Sequence, residues 1–245
     1  LGDRNATGTI RAKVRSSITG DEEMVMLTPD AVSVGSYNSS LRVVTGAATA
    51  GDGQLQASLG ARDKIIITYD DANNGNGTAV QITAQADVVG EKVVFDDTVE
   101  AGNAGWSVSG TPANSWAIIE TVPASGTRSW TDSPNANYAA GTNASLVSPL
   151  FDLSRAVGVT LTFAHRYAFG TAGTDYGNVE FSTNDGATWN RATAFTGTLA
   201  TFNQAVQKLD ALAGQSRVRI RFRVSSVGTA DGWTIDDIRL IARSS

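Results

Sequence analysis

The sequence predicts an all-β protein: an immunoglobulin-like β-sandwich followed by a larger jelly-roll β-sandwich. Three observations predict this class. Short runs rich in Val, Ile and Thr alternate apolar and polar residues with period two. Clusters of Gly, Asn, Asp and Ser separate these runs, and 25 glycines are available for the turns. No long stretch carries the 3.6-residue period of an amphipathic helix.

The first 90 residues hold six such runs: TIRAKVRS, EEMVMLT, SLRVVTG, QLQASLG, KIIITYD and AVQITAQADV. The segments TGDE, GSYNSS, GAATAGDG and DDANNGNG separate them. Gly and Asn tolerate positive φ, so these are turn compositions with a mechanism. Six short strands in this length suit a small immunoglobulin-like sandwich.

The remainder reads as VVFDD, GWSVSG, SWAIIET, ASLVSPLFDL, VTLTFAHRYAF, NVEFSTN, TWNRATAF, FNQAVQKLDAL, VRIRFRV and GWTIDDIRLIA. FNQAVQKLDALAG has a spacing that a short helix could use. Strand plus turn is the preferred reading, because its neighbours all read as strands. About ten strands over this length indicate a jelly roll. All five Trp and all eight Phe lie after residue 90, whereas the first 90 residues have only Tyr37 and Tyr69 as aromatics. That shift in composition marks a domain boundary near Gly90, giving domains 1–90 and 91–245. Formal charge is −3 before the boundary and −2 after it, so neither half is a charged arm.

Composition removes several chemistries. With 41% hydrophobic residues among 245, the chain can build a real core. With no Cys there is no disulfide, zinc ribbon or thiol nucleophile. With one His, a two-histidine metal site is impossible, and a Ser-His-Asp triad would need His165. A net charge of −5 argues against nucleic acid as a partner. No apolar run approaches the roughly 18 residues of a membrane helix. The opening LGDRNATGTI has no basic-then-apolar pattern, so a signal peptide is expected to be absent or already removed.

The stretches VVFDDTVEAGNAGW, LVSPLFDLS, LTFAHRY, VEFSTNDGATW and RIRFRV…DGWTIDDIRLI occur in the order found in MAM-like modules. Over residues 91–242 the chain resembles the jelly-roll accessory modules, similar to MAM domains, of large secreted bacterial proteins. Such modules follow the catalytic domain in subtilisin-like and immune-inhibitor-type proteases. The first half, through its GTI, TGDEEMVMLT, GDGQLQ and IIITYDD, resembles the immunoglobulin-like repeats that precede them. The resemblance implies a C-terminal fragment of a longer exported protein, with an upstream catalytic domain in the parent chain.

Carboxylates are the first candidate site. Asp96, Asp97 and Glu100 open the second domain, and Asp236 and Asp237 lie in its last strand. First and last strands of a jelly roll are commonly neighbours, so these groups could converge, and hard oxygen ligands suit Ca²⁺. Neighbouring residues of a strand face opposite ways, so only one of Asp236 and Asp237 can face inward. The resemblance implies a structural Ca²⁺. The loop DDANNGNG fails the EF-hand spacing and reads as an inter-strand turn. STNDGATW approaches the Asp-box pattern but occurs once, so it reads as a folding element of one hairpin.

Three further features could supply binding or catalytic groups. In LTFAHRYAF, His165 shares a face with Leu161 and Phe163, and Arg166 shares the other with Thr162 and Ala164. A core-facing imidazole is expected, and no GxSxG elbow accompanies it. In RVRIRFRV, Arg217, Arg219, Arg221 and Arg223 share one face. Arg219 and Arg221 could hold an anionic polymer, or the row could pair with acids such as Glu180 on the next strand. Trp130 and Tyr138 stand among polar turn residues and are expected to be partly exposed, as a platform for sugar rings would require.

The sequence therefore points to a non-catalytic accessory region, and the resemblance implies that it belongs to a secreted or cell-surface bacterial hydrolase, a subtilisin-like protease. Its partners would be a polymeric protein or polysaccharide substrate, or the cell surface, with no nucleic acid and no membrane span. A carbohydrate-binding module and a structural or adhesive stalk are the alternatives, since sandwiches host all three.

Overall fold

The computed structural model describes every residue except 1, 2, 4, 5, 60, 61, 113, 114, 171, 172 and 245. The chain divides into two compact units, Leu1–Gly90 and Glu91–Arg243. Both are built of β-strands, and no α-helix occurs among the described residues. Among the described residues no helix is long and apolar enough to cross a membrane.

The first unit contains β1 (Ile10–Ser16), β2 (Glu22–Pro29), β3 (Tyr37–Asn38), β4 (Arg42–Val44), β5 (Gln54–Gln56), β6 (Lys64–Asp71) and β7 (Val80–Asp87). Five of them form one sheet in the order β3-β2-β1-β6-β7. Its pairs are antiparallel, with Val14 opposite Glu23 on one side and Ile67 on the other. The period-two pattern of β1 is literal: residues 10, 12, 14 and 16 are buried, and 11, 13 and 15 are exposed. The second layer is only the parallel pair β4-β5. Leu55 of that pair is fully buried, and it lines one apolar cavity with Ala12, Val14, Ile65 and Ile67 of the sheet. The unit is thus a sandwich with one full sheet and one short one.

One buried carboxylate ties this unit's loops together. Asp63 is fully buried and accepts from Ser16 Oγ at 2.7 Å, Ser17 Oγ at 3.0 Å, Ile18 N at 3.0 Å and Ser58 N at 2.8 Å. Burial alone would raise its pKa, but these four donors favour the anion and leave the carboxyl below its usual range. The DDANNGNG loop satisfies itself: Asp71 accepts from Asn73 N, and Asn73 accepts from Gly75 N and Gly77 N.

The second unit is a two-sheet sandwich. One sheet runs β10 (Ala117–Ile119), β11 (Ser129–Thr131), β18 (Gly232–Ser244), β13 (Ala156–Ala168) and β16 (Thr198–Lys208), with β8 (Gly90–Asp97) also paired to β18. The facing sheet runs β15 (Asn190–Phe195), β14 (Tyr176–Ser182), β17 (Arg219–Ser225), β12 (Asn143–Val147) and β9 (Ser107–Thr111). FNQAVQKLDALAG is strand plus turn: β16 ends at Lys208, and one 3-10 turn spans Asp210–Leu212.

A single core lies between the sheets, with Trp233, Phe163 and Phe222 at its centre, each fully buried. Their rings meet edge to face, with centroids 5.0 Å apart for Phe163 and Phe222 and 5.6 Å for Phe222 and Trp233. Such contacts add about 0.5–1.5 kcal/mol each beyond area burial. Gly177 on β14 makes room for them. A Cβ there would lie 2.5 Å from Phe169 Cζ and 2.6 Å from Trp233 Cε3.

Candidate functional site

The five acids expected to share a cation are held apart. Asp97 is buried and accepts from Trp106 Nε1 at 2.7 Å and Val99 N at 2.8 Å. Asp96, on the opposite face of β8, lies 3.7 Å from Arg239. Glu100 accepts from Thr127 N, Thr127 Oγ1 and Arg128 N at 2.7–2.9 Å, and these donors hold its carboxyl below the usual range. Asp236 is fully buried and accepts from Ala124 N, Ser125 N and Asp237 N at 2.8–3.2 Å. Burial nevertheless raises its pKa. Asp237 adopts φ 47°, turns the other way and accepts from Ser125 Oγ at 2.8 Å. Among the described residues no three Asp, Glu or His side chains come together where a metal ion could sit. The convergence expected of Asp96, Asp97, Glu100, Asp236 and Asp237 therefore does not form. Glu100, Asp236 and Asp237 instead hold the segment 124–128 through its amides and hydroxyls, Asp97 holds Trp106, and Asp96 faces Arg239.

Trp130 and Tyr138 are also corrected. Both are 3% exposed, not the open platform that their polar neighbours suggested. The register explains Trp130: β11 pairs with β18 so that Trp130 stands opposite Ile235, and both belong to the core. Tyr138 is fixed by its hydroxyl, which donates to Asp175 Oδ2 at 2.9 Å and accepts from Gly170 N at 2.8 Å. Asp175 in turn accepts from Val227 N and Gly228 N. Three loops are thereby tied together at one end of the unit.

The arginine row on β17 is engaged with acids. Arg217 and Arg219 contact Asp185 at 2.5 and 2.6 Å. Arg221 and Arg223 contact Glu180 on β14 at 2.5 and 2.8 Å. The Arg221 guanidinium lies 4.3 Å from the centroid of the Trp189 ring. The arginines hold the Glu180 carboxyl below its usual range against the effect of burial. Asp185 reaches them from the STNDGATW turn, where Asp185 and Gly186 both take positive φ. Ser182 Oγ accepts from Gly186 N at 2.8 Å, and Asn184 Oδ1 accepts from Thr188 N at 2.9 Å. The turn thus clamps one end of the row. Arg219 and Arg221 are paired as a strand-face network.

An unanticipated arginine is uncommitted. Between His165 and Tyr167 the β13–β16 ladder breaks: His165 pairs with Asn203 and Tyr167 with Leu199. Arg166 sits alone in this gap, opposite residues 200–202. Such irregularities re-aim a side chain. The Arg166 side chain is 28% exposed, and its Nε is buried with no hydrogen-bond partner among the described residues. Its nearest acid is Asp231, 3.9 Å away and 68% exposed. A buried donor left unmade costs about 1–3 kcal/mol, so the arrangement calls for a partner.

Arg166 and Asp231 line a recess of ≈ 160 Å³ together with Tyr167, Leu199, Gly232 and Thr234, among others. Asp132 and Ser133, on the turn after β11, lie against Gly232 at the edge of the recess. Asp132 accepts from Trp233 N at 2.7 Å. Burial pushes its carboxyl up to about 7. Gly232, at φ 94°, separates the recess from this carboxyl, and a Cβ there would collide with Asp132 Oδ1. The alternation in LTFAHRYAF places Arg166 on the outer face. Its lack of a partner depends on what lies across the sheet.

His165 offers no catalytic base. It is 4% exposed, its Nδ1 accepts from Trp233 Nε1 at 3.2 Å, and burial lowers its pKa to about 4.

No protein-family model matches the chain, and no curated protein matches it. Solved structures similar to it include the K3 cleaved adhesin domain of Lys-gingipain (Kgp) from Porphyromonas gingivalis w83. That domain is 18% identical, with 62% of this chain and 99% of that one covered at a TM-score of 0.45. TmCBM61 in complex with beta-1,4-galactotriose is 14% identical, with 61% and 97% covered at 0.45. The xylan-binding domain from CBM 22 is 11% identical, with 61% and 94% covered at 0.43.

Proposed function

We propose that this chain is a non-catalytic binding region of an exported bacterial protein and that its second unit captures polysaccharide. The observation that carries the reading is the Arg166 recess. It combines a half-buried cation with no hydrogen bond among the described residues and an exposed acid close by. Concave sites with a few placed polar groups are where small ligands bind. The buried His165, with its depressed pKa, supports a non-catalytic role. The parent would be a secreted hydrolase. A subtilisin-like protease rests on the resemblance of residues 91–242 to MAM-like modules.

The test is a glycan array probed with the full chain, run beside pull-down on insoluble protein substrates. Retention on one or more neutral polysaccharides is expected. Retention on protein but on no glycan would overturn the reading. An intact parent chain without a catalytic domain would remove the accessory role while leaving the binding role.

A further inference from the structure

The recess has a size, a polarity and a charge, and together they specify more than polysaccharide. At ≈ 160 Å³ it is well below the about 300–1,000 Å³ of a pocket for a drug-sized molecule. It accommodates one ring and not a run of a chain. It lies where the β13–β16 ladder breaks, and Asp231 reaches it from the loop that leads into β18.

Charge selects the ligand. An isolated arginine fork suits a carboxylate, which it binds bidentately. Arg166 is not isolated: Asp231 lies 3.9 Å from it. The whole chain carries −5. An anionic ligand would meet a repulsive surround. A neutral polyol would not. One hydroxyl can accept from the Arg166 guanidinium while its neighbour donates to Asp231. The loose 3.9 Å separation leaves both groups free to take such partners.

We infer that the recess between β13, β16 and β18 binds a single neutral hexopyranose ring, a chain end or a branch, through two adjacent hydroxyls bracketed by Arg166 and Asp231. This rests on the polysaccharide reading above and adds to it the site and the ligand class. Tyr167 and Leu199 are opposite each other across the broken ladder. Both border the recess, so their backbone amides report on its occupancy.

The experiment is calorimetric titration of the full chain with methyl glucoside, methyl galactoside and methyl mannoside, each beside its uronic acid counterpart. NMR shifts at the Tyr167 and Leu199 amides report the place of binding. At least one neutral glycoside is expected to bind and to move both amides. Arg166→Gln and Asp231→Asn should each weaken it at least tenfold with the thermal midpoint unchanged, and Arg191→Ala should match the parent. The uronate should bind more weakly than its neutral partner. Unaltered affinity in both recess variants, or tighter binding of the uronate, would overturn the inference. If the array shows polysaccharide retention that Arg166→Gln leaves intact, the site is wrong and the polysaccharide reading survives. If no glycan of any kind is retained, both fall.

Discussion

Trp233 donates its indole N–H to Nδ1 of His165 at 3.2 Å, inside a cluster that also holds Phe163 and Phe195. The acceptor role fixes His165 as the neutral tautomer with its proton on Nε2. The chain's one histidine is therefore a core residue whose lone pair completes the hydrogen bonding of a fully buried tryptophan. Protonation would abolish that acceptor.

Stability should respond to pH through two opposed groups. His165 has a folded pKa near 4, below its unfolded value of 6.5. Its contribution is complete above pH 6.5 and is lost as pH falls towards 4. Asp132 has a folded pKa near 7, above its unfolded 3.8. Its contribution is complete below 3.8 and is lost as pH rises through 7. Between pH 4 and 6.5 the two slopes have opposite sign. Urea unfolding across this window should show Asp132→Asn losing stability on acidification more steeply than the parent. His165→Gln, which keeps an acceptor for Trp233, should gain stability on acidification. Identical slopes in all three proteins would contradict both assignments.

Gly177 should not tolerate a methyl group. Its Cβ would lie 2.5 Å from the Phe169 ring and 2.6 Å from Trp233, neither of which can retreat within the core. Gly177→Ala should cost about 1–3 kcal/mol by overpacking, seen as a lower denaturant midpoint. Gly158→Ala is the control, since its Cβ would meet only the end of the Arg243 side chain. It should cost less than half as much.

Trp130 and Tyr138 should separate by chemistry and not by exposure. Trp130→Phe keeps most of the buried ring and removes an N–H that has no partner, so it should cost under about 1.5 kcal/mol. Tyr138→Phe removes a hydroxyl that both donates and accepts, leaving Gly170 N and Asp175 each short of a partner. It should cost about 1–3 kcal/mol. Thermal or urea melts of the two variants give the comparison. A larger loss for Trp130→Phe would show that its N–H has a partner after all.

Glu180 should matter more to the folded state than Asp185. Its side chain is 7% exposed and serves two arginines, whereas Asp185 is 28% exposed. Glu180→Ala strands Arg221 and Arg223 against the sheet and should cost about 2–4 kcal/mol. Asp185→Ala should cost about 1 kcal/mol or less, because water replaces it. Unfolding at low and high salt checks this. Equal losses, or a Glu180 effect erased by salt, would count against a desolvated pair.

The period-two runs made nearly every strand legible, because alternation records which residues a sheet buries. IRAKVRS became β1 with its faces as written, and RIRFRVS became β17 with its arginines outward. Likewise, Glu180 could be named as the partner of the arginine row, since Glu180 and Arg221 stand directly opposite. Three things depended on strand order and register instead. Trp130 is buried because β11 happens to meet β18 with Ile235 opposite, and local polarity carries no trace of that pairing. The acids of β8 and β18 do sit on paired strands, yet Asp97 is taken up by Trp106 and Asp236 by the amides of Ala124 and Ser125, the latter more than a hundred residues away. Arg166 is left with a long 3.9 Å contact to Asp231 where the ladder breaks beside it. Side-chain alternation is a local property that a sequence must encode residue by residue. Which face meets which neighbour is set by contacts distant along the chain, and the binding recess belongs wholly to that second kind.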